Sequence, residues 1–472
     1  MGAVPSPSDA STHTAEQGGA QMSPATPGAL PGAAAETVPG APAPGAAAPV
    51  LTATGGATTT APVAPPTHVG TGGLPPVPLN APAEGVPALT DTPAALQAAV
   101  TALAAGSGPV AVDAERASGY RYGQRAYLVQ LRRAGSGTIL IDPAALDDLT
   151  GLGRVINPTE WVLHAADQDL PCLREVGLAP AALFDTELAS RLLGRERVGL
   201  AAVVAENLGF ALAKEHSAAD WSTRPLPEPW LRYAALDVEL LLELRELLSA
   251  QLAEAGKLEW ALQEFEHVRQ MPPAPLRKDP WRRTTGLQVV RSPRGLAVAR
   301  ELWTAREELG QDRDRSPGRI LPAAAIVAGA LAMPRTEREL VNLKEFGGKG
   351  TRRQAAYWQT AITRALELPE SELPPRRAAR EPGQLPAPRG WTERNPEAAD
   401  RLEAVRTCVR TLAAELNVPQ ENLLAPATQR QFAWECDSRP TAAQIGDRLT
   451  ALGTRPWQVS LVSGPLAEAL GA

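Results

Sequence analysis

Two carboxylates one residue apart close the apolar run Val110-Ala111-Val112-Asp113-Ala114-Glu115. The run predicts a buried strand, in which alternate side chains share a face, so Asp113 and Glu115 point the same way. Two like-facing anions at a sheet edge repel one another unless a cation or a solvated rim offsets their charge. A divalent metal ion is the chemistry such a pair could hold, and a solvated strand end is the plain alternative. Partners distant in sequence decide between them.

Two further stretches supply such partners. Residues 160–170 predict a short strand turning into a helix, with Asp167 and Asp169 near the helix start, where acids are favoured. Residues 230–238 open an apolar helical run in which Tyr233 and Asp237, four apart, share one face. Alone, such features are more often an ordinary helix-start acid and a capping or packing pair.

In this order and spacing the three stretches resemble the three exonuclease motifs of the DEDD superfamily, in its tyrosine-bearing branch, and within it the bacterial ribonuclease D family. The segments Phe184-Asp185-Thr186-Glu187-Leu188-Ala189, Gly199-Leu200-Ala201-Ala202-Val203-Val204 and Asp220-Trp221-Ser222-Thr223-Arg224-Pro225-Leu226-Pro227 are similar to that family's middle segments, so the resemblance runs from residue 87 to the C-terminus. It implies a 3'-5' exoribonuclease that releases 5'-mononucleotides from RNA with a free 3' end, transfer-RNA precursors among them. It also implies two divalent ions roughly 4 Å apart. An all-carboxylate ligand set suits Mg²⁺ or Mn²⁺ and argues against zinc. By the resemblance, Asp113 would bridge both ions, Glu115 and Asp237 would complete the site of the attacking water, and Asp169 would hold the second ion. Tyr233 would orient that water, since a tyrosine with an ordinary pKa of about 10 is a poor base at neutral pH. The family's spacing of an acid five residues after a histidine selects Asp169 from His164. Asp167 is then a neighbouring helix-start acid and His164 a structural histidine. Arg116 stands where many relatives carry an aromatic or other apolar residue, a departure that bears on the substrate-base wedge rather than on the metal site. The competing readings are a 3'-5' DNA exonuclease, because the same acids cleave either backbone, and a non-catalytic nucleic-acid-binding adaptor.

Composition narrows the class. The 472-residue chain has room for about three domains. Its net charge of −6 argues against a generally basic nucleic-acid coat without excluding a local basic track. Three cysteines without a CxxC pair suggest neither a zinc site nor a disulfide framework, and a reducing cytoplasm is the expected compartment. No apolar run is long enough to span a bilayer, and no obligate protein partner is evident.

The elements that must position the acids follow in order. Residues 1–86 are rich in Ala, Pro, Gly and Thr without Phe, Tyr or Trp, and are expected to be a disordered tail. Residues 87–272 form the expected α/β exonuclease domain, a mixed sheet flanked by helices, matching the ribonuclease-H-like fold that the resemblance implies. It begins with a helix capped by Thr92-Pro93 and stopped by Gly106-Ser107-Gly108, and strands are expected at 126–131 and 138–142. A single helix is expected from Trp230 to about Ala255.

A basic connector, 273–294, offers Arg282 and Arg283 to phosphates, with Trp281 packing or stacking between the charges. Residues 295–370 resemble an HRDC domain, with Lys349, Arg352 and Arg353 as candidate backbone contacts; a solvated charged face is the simpler reading of these cations. A Pro/Arg-rich linker, 371–395, leads to a second all-α HRDC-like domain at 396–472, where Leu402, Val405, Val409, Leu412 and Leu416 keep helical spacing.

Overall fold

The computed structural model describes residues 75–212, 216, 218–275, 277–378, 383–436 and 439–471. Most of the expected N-terminal tail, residues 1–74, lies outside the described residues. Its inner end is a correction: Val77–Leu79 forms strand β1, so order begins before residue 87. Main-chain bonding explains this, because a Pro-rich segment with little apolar surface can still be held by its backbone. Val77 N–H donates to the Gly209 carbonyl at 2.8 Å, and Ala83 N–H donates to Glu239 at 3.2 Å.

After β2 (Leu89–Thr90), helix α1 (Pro93–Ala105) starts where Thr92 Oγ1 accepts the Ala95 N–H, and it stops at Gly106. Strands β3 (Ser107–Arg116), β4 (Ala126–Ala134) and β5 (Gly137–Ile141) follow as an antiparallel meander. Helix α2 (Thr150–Ile156), strand β6 (Glu160–Leu163), helix α3 (Leu170–Glu175), strand β7 (Ala182–Asp185) and helix α4 (Thr186–Leu192) then alternate. The sheet order is β2-β5-β4-β3-β6-β7, with β6 and β7 parallel to β3 and β2 parallel to β5. This is the expected mixed sheet. Val110, Ala111, Val112, Trp161, Val162 and Leu163 are buried in its centre.

Helix α5 (Leu200–Leu208) leads to β8 (Phe210–Leu212), which pairs with β1. The long helix expected from Trp230 is two helices, α6 (Glu228–Glu239) and α7 (Leu241–Glu254), broken at Leu240, whose φ −110° and ψ 5° leave the helical region. The break lets each half present its apolar face to a different surface. Helix α6 packs across β3, β4 and β5, whereas α7 buries Leu241, Leu244, Leu248 and Leu252 toward β3, β6 and α4. Helix α8 (Leu258–Gln270) closes the domain.

The HRDC domain comprises α9 (Pro293–Asp312), α10 (Pro317–Ile320), α11 (Ala323–Ala332), α12 (Glu337–Val341), α13 (Lys349–Arg353) and α14 (Ala355–Glu367). Its separate core is built around Leu302, Phe346 and Trp358. Trp281, Leu287 and Val290 of the connector are buried in that same core. The loop after β3 docks on this domain: Ser316 N–H donates to the Tyr120 carbonyl at 2.9 Å, Arg319 Nε donates to the Gly119 carbonyl at 2.7 Å, and the Arg319 guanidinium lies over the Tyr120 ring.

The C-terminal helices are α15 (Trp391–Arg394), α16 (Pro396–Glu415), α17 (Gln420–Leu423), α18 (Pro426–Glu435), α19 (Ala442–Ala451) and α20 (Pro456–Ala469). They return to the exonuclease domain and share its hydrophobic core through Val405, Val409, Phe432, Trp457 and Val462. Trp457 stacks on Trp260 of α8 at 4.9 Å, and buried Glu264 accepts both the Arg455 guanidinium and the Trp457 indole N–H. Among the described residues no helix is long and apolar enough to cross a membrane.

Candidate active site and metal centre

The β3–β6 pairing puts Val110 beside Trp161 and Ala111 beside Val162, so the two parallel strands end at one sheet edge. Asp113 and Glu115 leave β3 on one face there, and the turn after β6 delivers Asp169 to the same edge. Helix α6 crosses above, aiming Tyr233 and Asp237 from one face. Carboxylate oxygens of Asp113, Glu115 and Asp237 all lie within 4.8 Å of one another. Asp169 lies beside Asp113, and Tyr233 beside Asp237. All five residues nominated from the sequence therefore meet. Asp169 is 6% exposed whereas Asp167 faces solvent, which separates the two acids as the family spacing does.

Crowding leaves an electrostatic mark. Burial, then the charges of Asp113, Asp237 and Asp169, push the Glu115 carboxyl up to about 10, with Arg116 offsetting part of the rise. Burial likewise holds Asp113, Asp169 and Asp237 above the ordinary range. The Tyr233 hydroxyl is pushed up, first by burial and then by the anions of Asp237, Glu115 and Asp113. Hard oxygen donors that cannot all ionise together are the donor set a divalent cation satisfies, so the residues fit such an ion.

The turn carrying Asp169 is held from below. Asp185, at the end of β7, caps α4 by accepting the Glu187 and Leu188 N–H groups, and it also accepts those of Ala165 and Ala166 at 3.1 and 2.8 Å. Ala165 sits at φ 59°, a left-handed conformation that needs such support. An Asp ahead of a helix is a common cap, but nothing local signals the second pair of bonds, which joins residues about 20 apart.

His164 lies at the end of β6, where its Nδ1 meets Thr186 Oγ1 at 2.9 Å, and burial pushes its pKa down to about 4. Arg282 lies over the Trp281 ring and is bonded to Asp279 and the Pro375 carbonyl. Arg283, Lys349, Arg352 and Arg353 are exposed, the last three on α13.

A family model described as 3'-5' exonuclease matches residues 87–253, an HRDC domain model matches 295–362, and a model of a 3' to 5' exonuclease C-terminal domain matches 384–470. The ribonuclease D of Jannaschia sp. (strain CCS1) is 32% identical over 325 residues, which span 65% of this chain and 80% of that protein. The ribonuclease D of Pseudomonas paraeruginosa is 31% identical over 297 residues, spanning 60% and 73%. Among solved structures, a protein from Bifidobacterium adolescentis superposes with a TM-score of 0.78 at 37% identity, covering 84% of this chain and 100% of that one. Escherichia coli RNase D, described as an exoribonuclease involved in structured RNA processing, gives 0.57 at 26% identity, covering 77% and 98%. With its acidic cluster, its domain order and these relatives in agreement, the chain belongs to the ribonuclease D family.

Proposed function

We propose that the 3'-5' exoribonuclease activity of this family member is carried by Asp113, Glu115, Asp169 and Asp237 as ligands of two divalent ions, Mg²⁺ or Mn²⁺, with Tyr233 placing the attacking water. The observation that carries this reading is the meeting of Asp113, Glu115 and Asp237 within 4.8 Å from two separate elements. Bound there, divalent ions supply the Lewis acidity that water needs to attack a phosphodiester shielded by its own negative charge. The chain's own part is positional. The β3 strand fixes Asp113 and Glu115, Asp185 fixes the turn bearing Asp169, and α6 holds Tyr233 beside Asp237. With its pKa raised, Tyr233 keeps its proton at neutral pH and acts as a hydrogen-bonding guide. His164 serves the fold, tying the end of β6 to α4.

The substrate reading is RNA with a free 3' end, transfer-RNA precursors included, shortened one nucleotide at a time to 5'-monophosphates in the cytoplasm. Of the nominated cations, Arg283, Lys349, Arg352 and Arg353 are exposed and can face phosphates, while Arg282 is engaged in intramolecular bonds. The test is Mg²⁺-dependent mononucleotide release from a 3'-labelled RNA. Wild type should release label and Asp113→Asn should bind the strand without cutting. Binding by both and cutting by neither would replace the enzyme with an adaptor. Running the same assay on DNA separates the two nucleic acids.

A further inference from the structure

Arg116 follows the two strand-end acids directly, past a shift in the β3–β4 register that turns its side chain toward the second acidic motif. Its guanidinium sits 3.3 Å from Asp169 Oδ1 and donates to the Gln168 carbonyl at 2.8 Å. Asp169 is thereby engaged by Arg116 and Asp113, whereas Asp113, Glu115 and Asp237 form their own trio. The two halves of the site differ in kind: one is an open set of oxygens, and the other already holds a positive charge. A metal ion and a guanidinium cannot both take the same lone pairs of Asp169, so they compete. Arg116 is also free to leave. Its side chain is 28% exposed against 8% for Asp169, and the fork that grips a carboxylate grips a phosphate equally well. The loop beyond it is pinned to the HRDC domain at Gly119 and Tyr120, so the exchange is a side-chain swing on a fixed backbone.

We propose that Arg116 is an exchangeable counter-ion, neutralising Asp169 in the free protein and moving to the phosphate of the bound 3'-terminal nucleotide as the second divalent ion takes Asp169. Nucleotide and second ion then bind with positive linkage, each removing the obstacle to the other. This rests on the metal-ligand reading of the acids above.

The test counts Mn²⁺ bound to the full-length protein by electron paramagnetic resonance, with and without adenosine 5'-monophosphate, a product carrying the phosphate but no bond to cut. In wild type the second ion should bind weakly and tighten about tenfold with the nucleotide. In Arg116→Leu it should bind about tenfold tighter without nucleotide, and the further tightening by the nucleotide should be smaller than in wild type. Arg116→Lys, which keeps the charge but not the two-pronged grip, should fall between wild type and the neutral variants. Arg116→Gln repeats the neutralisation should the leucine variant fold poorly. In EDTA the neutral variants should melt below wild type. An unchanged second-ion affinity in both neutral variants, or a nucleotide effect in them as large as in wild type, overturns the proposal. Asp113→Asn separates the two failures: if it binds Mn²⁺ as wild type does, the metal reading falls and the counter-ion with it. If it loses Mn²⁺ while the Arg116 variants match wild type, the counter-ion alone falls.

Discussion

Asp185 Oδ2 accepts the Ala166 N–H at 2.8 Å, linking the cap of one helix to the turn that carries an acid of another motif. Two neighbouring strands are thus locked together directly beneath the carboxylate cluster, and the lock is a buried anion fed by four backbone N–H groups. Burial raises the Asp185 pKa to about 6 and the Glu187 charge adds to the rise, while the Leu188, Ala166 and Ala165 N–H groups pull it down.

Removing that anion should loosen the turn. Asp185→Ala leaves four donors without their acceptor and is expected to cost about 1–3 kcal/mol of stability, read by urea unfolding. Misplacement of Asp169 should lower kcat by about 100-fold. Asp185→Asn, which keeps one acceptor oxygen, should lose less of both. Equal kcat in wild type and the alanine variant would detach the lock from the site.

The raised carboxyl pKa values predict an unusual pH response. Glu115 moves from 4.5 to about 10, so between those limits the folded protein binds more protons than the unfolded chain. Stability of the metal-free protein should then be full below pH 4.5 at this group and should fall as pH rises toward 10. Mn²⁺ should flatten the slope, because it replaces those protons. Melting curves at pH 5, 7 and 9, with EDTA or Mn²⁺, measure this; a flat EDTA series would contradict it.

Tyr233→Phe removes a hydroxyl but, on the present geometry, no base. Its kcat should drop by roughly 10- to 100-fold, while the pH–rate profile keeps the shape of wild type. A variant that lost the ascending limb, where the rate rises as a base gives up its proton, would make Tyr233 the proton acceptor.

At the seam between α8 and α20, Glu264→Ala would strand the Arg455 guanidinium and the Trp457 indole. Glu264 is 4% exposed, so a loss of about 3–5 kcal/mol is expected. Limited proteolysis should show C-terminal fragments released early, with the HRDC core still resistant.

The acids were legible in the sequence only in combination: a strand-end pair, a helix-start acid, and a tyrosine and an aspartate one turn apart are each ambiguous alone, and the family's order and spacing joined them and chose Asp169 over Asp167. Alternation and helical periodicity likewise gave the sheet and most helices. Contacts that join remote segments were not legible. Val77–Leu79 joins β8 through main-chain bonds that its side chains do not advertise. The break at Leu240 follows from two surfaces competing for one amphipathic run, with neither Gly nor Pro to mark it. Trp281, read as packing or stacking in a connector, packs: it is 3% exposed because the fold of a later domain, which its local sequence does not announce, encloses it. Arg116 looked like a lost wedge; its partner Asp169 lies 53 residues further along the chain.

The Glu264–Trp457 bond spans 193 residues and passes over the whole HRDC domain. During synthesis, α8 must therefore wait until Trp457 has been made before its apolar flank is covered, while the intervening HRDC core can already close by itself. A nascent chain cut short before Arg455 would leave the apolar surface around Trp260 uncovered, the kind of surface that chaperones bind, and the defect would be read out as failed folding rather than as a lost accessory module.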